Sequence, residues 1–531
     1  MTHFLSSRET QTFGTFHYPY AIVEHSMGFD DLAVLAQGLD KKSFLDALDD
    51  LEAPKEKIEA ILQALKDPKE TTASIDVAYR ASSFLHETRH FYDQFGTYAG
   101  ICLFANMIET LKDFYAAAAR IKIEGSGWRW PDRKSIAEKG RSAEEQRLIR
   151  NVRAFCQGSE LFLGAFKPLE IDGHIEEVFA EAITKSGHTI DVAPIRILAG
   201  HLHFESGLDA GHGGNGGALT AKTILYPLGI EVLFEANAHA LTRSFIEPSF
   251  LKDLANSLTH DQMLVEYGGG EQPDLARQML PYMVLDRQIT KYLRANGKDK
   301  FERNAVLGIA DEVLILSRFE IHRSESNTRM EISRVGKLIA EVLTHTPVDD
   351  LVAGNVPASD VVTQVYKVLL QSYEQGGDWD TVADDGSLLS SICIWESYTA
   401  QHFAVPLLRL RLATGHQVFR SSTGMSQLNQ EVPPPIVAYD GKLQIDLPDR
   451  VRLAWAHVLM AWHLAHSIAL RDTILCPRAF SAVPGLSNVS FSKKYDCDDY
   501  ISVGCGKFDG VRVEETPCLF VDLLRSVALI E

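Results

Sequence analysis

Residues 84–100 read FLHETRHFYDQFGTYAG and contain the pattern His-Glu-x-x-His. In an α-helix, residues four positions apart lie on the same face, so His86 and His90 can bind one Zn²⁺ at about 2.0–2.1 Å. Glu87 follows the first histidine and then lies beside the metal instead of on it. The stretch therefore predicts a helix that carries a zinc site.

The flanking sequence predicts one long helical stretch from about Ser74 to Arg120, with Gly96 and Gly100 as breaks. Its apolar residues recur at helical spacing and are expected to form a buried stripe made of Val77, Ala81, Phe84, Phe91, Phe95 and Tyr98. A second face, which is expected to line a cleft, contains His86, His90, Asp93 and Thr97.

Asp93 follows His90 by three residues and has two equally weighted interpretations. It can orient a ligand histidine through the second ring nitrogen, as metal-bound imidazoles usually require. Alternatively, it is a solvated acid on the helix surface. The sequence leaves this choice open.

A hydrolytic zinc site needs a third protein ligand and an open fourth position. The favoured candidate is Glu235, within PLGIEVLFEANAHALTRSF at residues 227–245, because a carboxylate in an apolar helix is costly unless it is paired or on a metal. The alternative is a glutamate at the rim of the helix with its carboxylate in water. Glu396, within ICIWESYTAQHFAVPLL at residues 392–408, is a rival ligand by the same argument.

These two motifs together resemble the gluzincin division of the zincin metallopeptidases, over about residues 70–250. The matching residues are His86 and His90 as ligands, Glu87 as general base, and Glu235 with Ala238 on the glutamate helix. The resemblance implies a zincin-like catalytic core, Zn²⁺ as the cofactor, and a protein or peptide as the substrate.

Other histidines are predicted to be structural or incidental. His201, His203 and the glycine-rich loop around His212 offer a second metal site or a mobile lid as alternatives, but tight turns explain the glycines more simply. His239 lies on the face of Glu235 and is either a core residue or an oxyanion-stabilising group. A C-terminal helix at residues 450–471 is expected only to pack, because it lacks histidines four positions apart; its histidines are His457, His463 and His466.

The predicted fold class is mostly α (α+β), with a zincin-like core inside a large helical protein. Small β elements are expected near residues 189–204 and in the C-terminal region, where IVAYDGKLQIDL at 436–447 predicts a hairpin and the three prolines at 433–435 predict a linker. Four segments are expected: an N-terminal helical segment 1–70, the catalytic core 71–250, a helical region 251–430 and a C-terminal α+β region 431–531.

Composition narrows the functional classes. The chain has 531 residues, with 52 Lys and Arg against 71 Asp and Glu, and no basic cluster that would bind nucleic acid. It lacks an apolar run of about 18 residues and a signal-peptide pattern, so we expect a cytoplasmic protein without a membrane span.

Seven cysteines without a CxxC pair favour free thiols in a reducing compartment. Phosphate-loop, nucleophile-elbow and dinucleotide-binding motifs are missing.

The leading hypothesis is a zinc-dependent metallopeptidase acting on an intracellular protein or peptide, with Glu87 as the general base that accepts a proton from water at the zinc. The alternative is a non-catalytic helical binding or regulatory protein that retains a zincin-like metal site. A di-iron helical bundle is a third interpretation, but it requires a second Glu-x-x-His motif, which the sequence lacks. The sequence leaves the oligomeric state open.

Overall fold

Most of the residues that the structure describes are helical, as the sequence predicts. A computed structural model describes residues 14–17, 21–25, 54–56, 59, 74–123, 143, 169–171, 204–205, 223–225, 234–235, 237–238, 241, 322–323, 328–329, 360–414, 417–420, 422–439, 442–470 and 519–526. The mostly α class with small β elements is confirmed within these ranges, whereas the zincin-like core stays a prediction.

The long predicted helical stretch forms two helices, α1 (Ser74–Gly96) and α2 (Tyr98–Ile123). They are separated at Thr97, whose hydroxyl donates to the carbonyl of Asp93 (2.6 Å) and accepts from the amide of Gly100 (3.0 Å). A Cβ at Gly100 would overlap the Asp93 carbonyl oxygen, so the tight turn requires glycine there. The predicted break at this position is confirmed.

A four-stranded sheet joins the beginning and the end of the chain. Its strand order is β1 (Gly14–His17), β2 (Ile22–His25), β8 (Ile436–Tyr439) and β9 (Lys442–Ile445). The β1–β2 and β8–β9 pairs are antiparallel, while β2 and β8 are parallel. Helix α1 packs against β1 and β2, so this sheet covers one side of the helix that carries His86 and His90.

The sheet confirms one prediction and corrects two others. The hairpin expected at residues 436–447 is present as β8 and β9. The segment 1–70 is predicted to be helical, but residues 14–17 and 22–25 form strands, because β1 pairs with β2 and β2 pairs with the distant strand β8. The prolines at 433–435 are not a free linker: Pro434 and Pro435 are buried, and the Pro435 carbonyl accepts from the amide of Asp446 (2.7 Å).

Further helices complete the structure around α1 and α2. They are α3 (Asp360–Glu374), α4 (Leu388–Thr399), α5 (Val405–Thr414), α6 (Ser422–Glu431), α7 (Asp449–Leu470) and α8 (Leu519–Ser526). The most extensive helix–helix packing among the described elements is between α4 and α7, and α2 contacts both of them. Helix α7 confirms the helix predicted at residues 450–471.

A π-helical turn at Ala400–Ala404 connects α4 to α5 and completes the core beside α1. It inserts the ring of Phe403 against Phe91 and Phe95, with ring centres 5.3 Å and 5.2 Å apart. Edge-to-face and tilted aromatic contacts at such distances are favourable beyond the area that they bury. These contacts join the π-helical turn to α1, and the ring of Phe91 also lies 6.4 Å from that of Phe16 on β1.

Shorter strands lie between α2 and α3 in the sequence. They are β3 (Leu169–Ile171), β4 (Phe204–Glu205) and β5 (Thr223–Leu225), which form a sheet in the order β3-β5-β4, and β6 (His322–Arg323) with β7 (Thr328–Arg329), which form a two-stranded ladder. Of the strand expected at residues 189–204, only Phe204 lies within the described residues, and it belongs to β4. Among the described helices, none combines the length and the apolar character needed to cross a bilayer.

Candidate metal centre

Helix α1 is buried on all sides where it carries the His-Glu-x-x-His pattern. Every residue from Phe84 to Thr97 is buried, with His86 only 8% and His90 only 3% exposed. Asp93 and Thr97, which are predicted to lie on the cleft-lining face, are fully buried, whereas the side chains of Glu87 and Glu235 beside the two histidines keep 12% and 19% of their surface exposed. The four-stranded sheet covers one side of α1, and α2, α5 and the π-helical turn cover other sides.

Glu235 lies directly against both histidines. Its Oε2 atom is 2.9 Å from His86 Nε2 and 3.5 Å from His90 Nε2. The two imidazole rings are perpendicular, with centres 4.8 Å apart. Tetrahedral ligands at about 2.0–2.1 Å from one zinc ion would lie about 3.3 Å from each other. The Glu235–His86 distance is shorter than this separation, and the Glu235–His90 distance is longer.

The residues around Glu235 explain how a carboxylate reaches this position. The described residues near it, at 234–235, 237–238 and 241, are helical, and Phe234, Ala238 and Leu241 are fully buried. The Phe234 ring lies 6.4 Å from the ring of His90 on α1, while the Glu235 side chain keeps 19% of its surface exposed. The carboxylate therefore lies at the accessible side of the three-residue group.

His86, His90 and Glu235 form a group that could hold a metal ion. One ligand atom from each residue lies within 4.8 Å of the others, and within the part of the chain that the structure describes no second group of this kind occurs. Two imidazoles and one carboxylate are a donor set found in catalytic zinc sites, which leave a fourth position open. The residues present thus fit a zinc ion.

The rival ligand Glu396 lies in a different environment. Its Oε2 atom is 2.7 Å from Nζ of Lys112 on α2, and its side chain is 36% exposed. Lys112 also donates to Glu109 (2.8 Å), so the three residues form an ion-paired cluster between α2 and α4. Among the described residues, the structure brings Glu235 and not Glu396 to the histidines.

Glu87 lies next to the three-residue group without belonging to it. Its Oε2 atom is 4.0 Å from His90 Nε2, and its side chain is 12% exposed. A carboxylate at this distance is close enough to exchange a proton with a molecule held between it and the metal ligands. This is the position that the sequence predicts for a general base.

The charges in the group stabilise one another. Burial opposes ionisation of Glu235, but the two histidines outweigh this effect and hold its pKa well below the usual range. Burial also opposes protonation of His90, yet the charge and hydrogen bond of Glu235, with smaller effects of Glu87 and Asp93, raise its pKa to about 9. A cation at this place, whether a proton or a metal ion, is therefore favoured electrostatically.

Asp93 is buried and ion-paired, so the interpretation as a solvated acid was wrong. Its Oδ1 atom accepts a hydrogen bond from Arg89 Nε (3.0 Å) and lies 2.9 Å from Arg89 Nη2. The guanidinium of Arg89 also donates to the carbonyl of Phe419, and Arg411 donates to the carbonyl of Gly96. Sequence reasoning missed this arrangement, although the four-residue spacing of Arg89 and Asp93 on one helix is a detectable signal.

Aromatic rings flank the second histidine. Phe16 on β1 and Phe234 have ring centres 6.3 Å and 6.4 Å from that of His90. Both rings are buried, so they reduce the access of water to the imidazole. Neither residue was singled out from sequence, because nothing local connects β1 to α1.

His457 and His463 of α7 contact neighbouring helices, in agreement with the predicted packing role. His457 Nδ1 is hydrogen-bonded to Ser391 Oγ (2.9 Å), and the ring of His463 lies 6.5 Å from that of Phe520 on α8. Several predictions fall outside the described residues or side chains: those on His201, His203, His212, His239 and His466, and the prediction of free thiols for four of the seven cysteines, namely Cys476, Cys497, Cys505 and Cys518.

Comparisons with known proteins return no match. No family model matches the chain, and no curated protein or solved structure is significantly similar to it. The residues of the candidate metal centre are therefore the basis for a proposed function.

Proposed function

We propose that the protein is a zinc-dependent metallopeptidase that hydrolyses a peptide bond in a protein or peptide substrate. The observation that carries the proposal is the approach of Glu235 Oε2 to His86 Nε2 (2.9 Å) and His90 Nε2 (3.5 Å), with Glu87 beside them. This constellation combines three ligands of suitable type with a carboxylate that is not a ligand.

His86, His90 and Glu235 would hold the zinc ion. When bound, zinc supplies Lewis acidity, which lowers the pKa of water and polarises a carbonyl group. The Glu235 carboxylate balances part of the metal charge, and burial of His86 and His90 excludes bulk water from the ligand atoms. The ligands therefore bind and shield the reacting centre.

Glu87 would move the proton during hydrolysis. One of its carboxylate oxygens accepts a proton from the attacking water and then delivers it to the nitrogen of the leaving amine. Its side chain is 12% exposed, so it can contact both the metal site and a molecule that enters from solvent. The bond formed is C–O at the scissile carbonyl carbon, and the bond broken is the C–N bond of the peptide.

The test compares the zinc-loaded wild type with Glu87→Gln on a complex mixture of peptides. New N-termini are identified by mass spectrometry after incubation with each protein. We expect the wild type to generate a reproducible set of cleavages and Glu87→Gln to generate them about 10²- to 10⁴-fold more slowly, with its zinc content unchanged.

The matched control is Glu109→Gln, which removes an exposed carboxylate from α2. It should cleave at the wild-type rate. If the zinc-loaded wild type produces no cleavage, or if Glu87→Gln cleaves as fast as the wild type, the peptidase proposal fails. The non-catalytic binding protein with a zincin-like metal site then becomes the better description.

A further inference from the structure

Two arginine side chains are completely buried next to the C-terminal half of α1. Arg89 belongs to α1 and Arg411 to α5, and both have 0% exposure, as do Asp93 and Phe419. A buried guanidinium is costly unless its charge and its N–H groups are compensated. The partners of the Arg89 and Arg411 guanidinium groups therefore show which elements these side chains connect.

Arg89 connects α1 to a distant turn. One edge of its guanidinium pairs with Asp93 Oδ1 at 2.9–3.0 Å, and Nη1 donates to the carbonyl of Phe419 in the 3-10 turn Gln417–Arg420. Arg89 directly precedes the metal ligand His90 in the sequence. A movement of the turn would therefore act on the backbone next to a ligand.

Arg411 holds the end of the same helix. Its Nε donates to the carbonyl of Gly96, the last residue of α1, where unpaired carbonyl groups carry the negative end of the helix dipole. Its guanidinium carbon lies 3.6 Å from the centre of the Phe419 ring, and that of Arg89 lies 5.6 Å from the same centre. Phe419 thus contacts both arginines, once through its carbonyl and twice through its ring.

The turn that presents Phe419 packs closely against the start of α6. A Cβ at Gly424 would overlap the carbonyl of Val418, so the turn and the start of α6 approach more closely than any other residue would allow. Phe419 contacts Arg89 and Arg411, and these two arginines contact the middle and the end of α1.

We propose that Arg411 and Phe419 are positioning residues for the metal centre. Rotation of α1 about its axis determines where His86 and His90 point, and a functional site requires its ligands within about 0.5 Å and 10–20° of the productive geometry. The Arg411–Phe419–Arg89 contacts fix α1 at two places along its axis. The inference deepens the proposed function, because it assumes that His86, His90 and Glu235 bind zinc.

The experiment measures zinc affinity and ligand geometry in Arg411→Lys and Phe419→Leu. Lysine keeps the charge but lacks the planar group that stacks on a ring and donates to the Gly96 carbonyl, and leucine removes the ring while keeping the backbone carbonyl. Zinc dissociation constants are obtained by competition with a chelator. We expect about 10-fold weaker binding in each variant, together with shifted visible absorption bands of the Co²⁺-substituted protein.

The matched control is Arg409→Lys on the same helix, where an exposed arginine pairs with Glu374 (2.6 Å). It should keep the wild-type zinc affinity and Co²⁺ spectrum. All affinities are measured below the unfolding temperature of each metal-free protein. If Arg411 and Phe419 only stabilise the fold, their variants should lower that temperature but keep the wild-type zinc affinity and Co²⁺ spectrum. Phe419→Leu carries the test if Arg411→Lys does not fold.

The outcomes separate this inference from the proposed function. If the wild type binds zinc and both variants match its affinity and spectrum, the positioning role is refuted while the metal site stands. If the wild type itself binds no zinc, the metal centre fails and the positioning role fails with it.

Discussion

Helices α1 and α7 both carry buried histidines, but the two helices use them differently. In α1, His86 and His90 are four residues apart and meet Glu235 from another helical segment. In α7, His457 and His463 are six residues apart; one is bonded to Ser391 and the other lies against Phe520. The two helices thus share buried histidines, and what distinguishes the candidate metal centre on α1 is the four-residue spacing together with an approaching carboxylate.

Removal of one histidine from each helix is expected to have the largest effect. His86→Ala should reduce zinc content from about one ion per chain to almost none, because a two-ligand site binds zinc poorly. His457→Ala should retain the full zinc content, although it loses the hydrogen bond to Ser391. Elemental analysis of the purified proteins checks both. Equal zinc content in wild type and His86→Ala would remove the distinction between the helices.

The two candidate carboxylates give a smaller, graded effect. Glu235→Gln should weaken zinc binding by about 10-fold or more, because it replaces a charged ligand at the metal. Glu396→Gln should leave the affinity unchanged, since Glu396 is paired with Lys112. Chelator competition measures both constants. The opposite pattern would transfer the third-ligand role to Glu396.

The electrostatics of α1 predict a pH dependence in the metal-free protein. The pKa of His90 is raised to about 9 from its ordinary value of 6.5, so its ion pair with Glu235 stabilises the fold fully below pH 6.5. This contribution is lost as pH rises through about 9. Thermal unfolding of wild type and Glu235→Gln in excess chelator should therefore differ more at pH 6 than at pH 9.5. The same difference at both pH values would contradict the ion pair.

The smallest effect is expected from the packing histidine of α7. Ser391→Ala removes the hydroxyl that is hydrogen-bonded to His457 Nδ1 (2.9 Å). We expect it to lower the free energy of unfolding by about 1 kcal/mol, the usual net contribution of such a bond. Zinc affinity should not change. Denaturant unfolding and chelator competition on the same protein preparation test both statements, and a weaker zinc site in Ser391→Ala would show that the two helices are coupled.

Local features of the metal centre could be predicted from the sequence. The spacing of His86 and His90 follows from helix periodicity, and the break between α1 and α2 follows from two glycines close together. Glu235 was selected because a carboxylate in an apolar helix needs a partner, and its distances to both histidines agree with that choice. Each of these inferences needs only a short segment of sequence. The inference for Glu235 also uses the high free-energy cost of burying an unpaired carboxylate.

Contacts between distant segments were not predictable in the same way. The strands β1 and β2 are stabilised by β8, more than 400 residues later in the sequence, and no local pattern encodes that pairing. Likewise, Arg411 gives no sequence signal for its bond to the Gly96 carbonyl. The full burial of Asp93 and Thr97 on α1 follows from such long-range contacts and has no local sequence signal.

We expect His86, His90 and Glu235 to bind one zinc ion together. Anomalous diffraction from crystals of the zinc-loaded protein, collected on both sides of the zinc absorption edge, tests it most directly. We predict one zinc peak at about 2.0–2.2 Å from His86 Nε2, His90 Nε2 and a Glu235 carboxylate oxygen. A zinc-loaded crystal with no peak at these three residues, or with the ion bound by Glu396 instead, would contradict it.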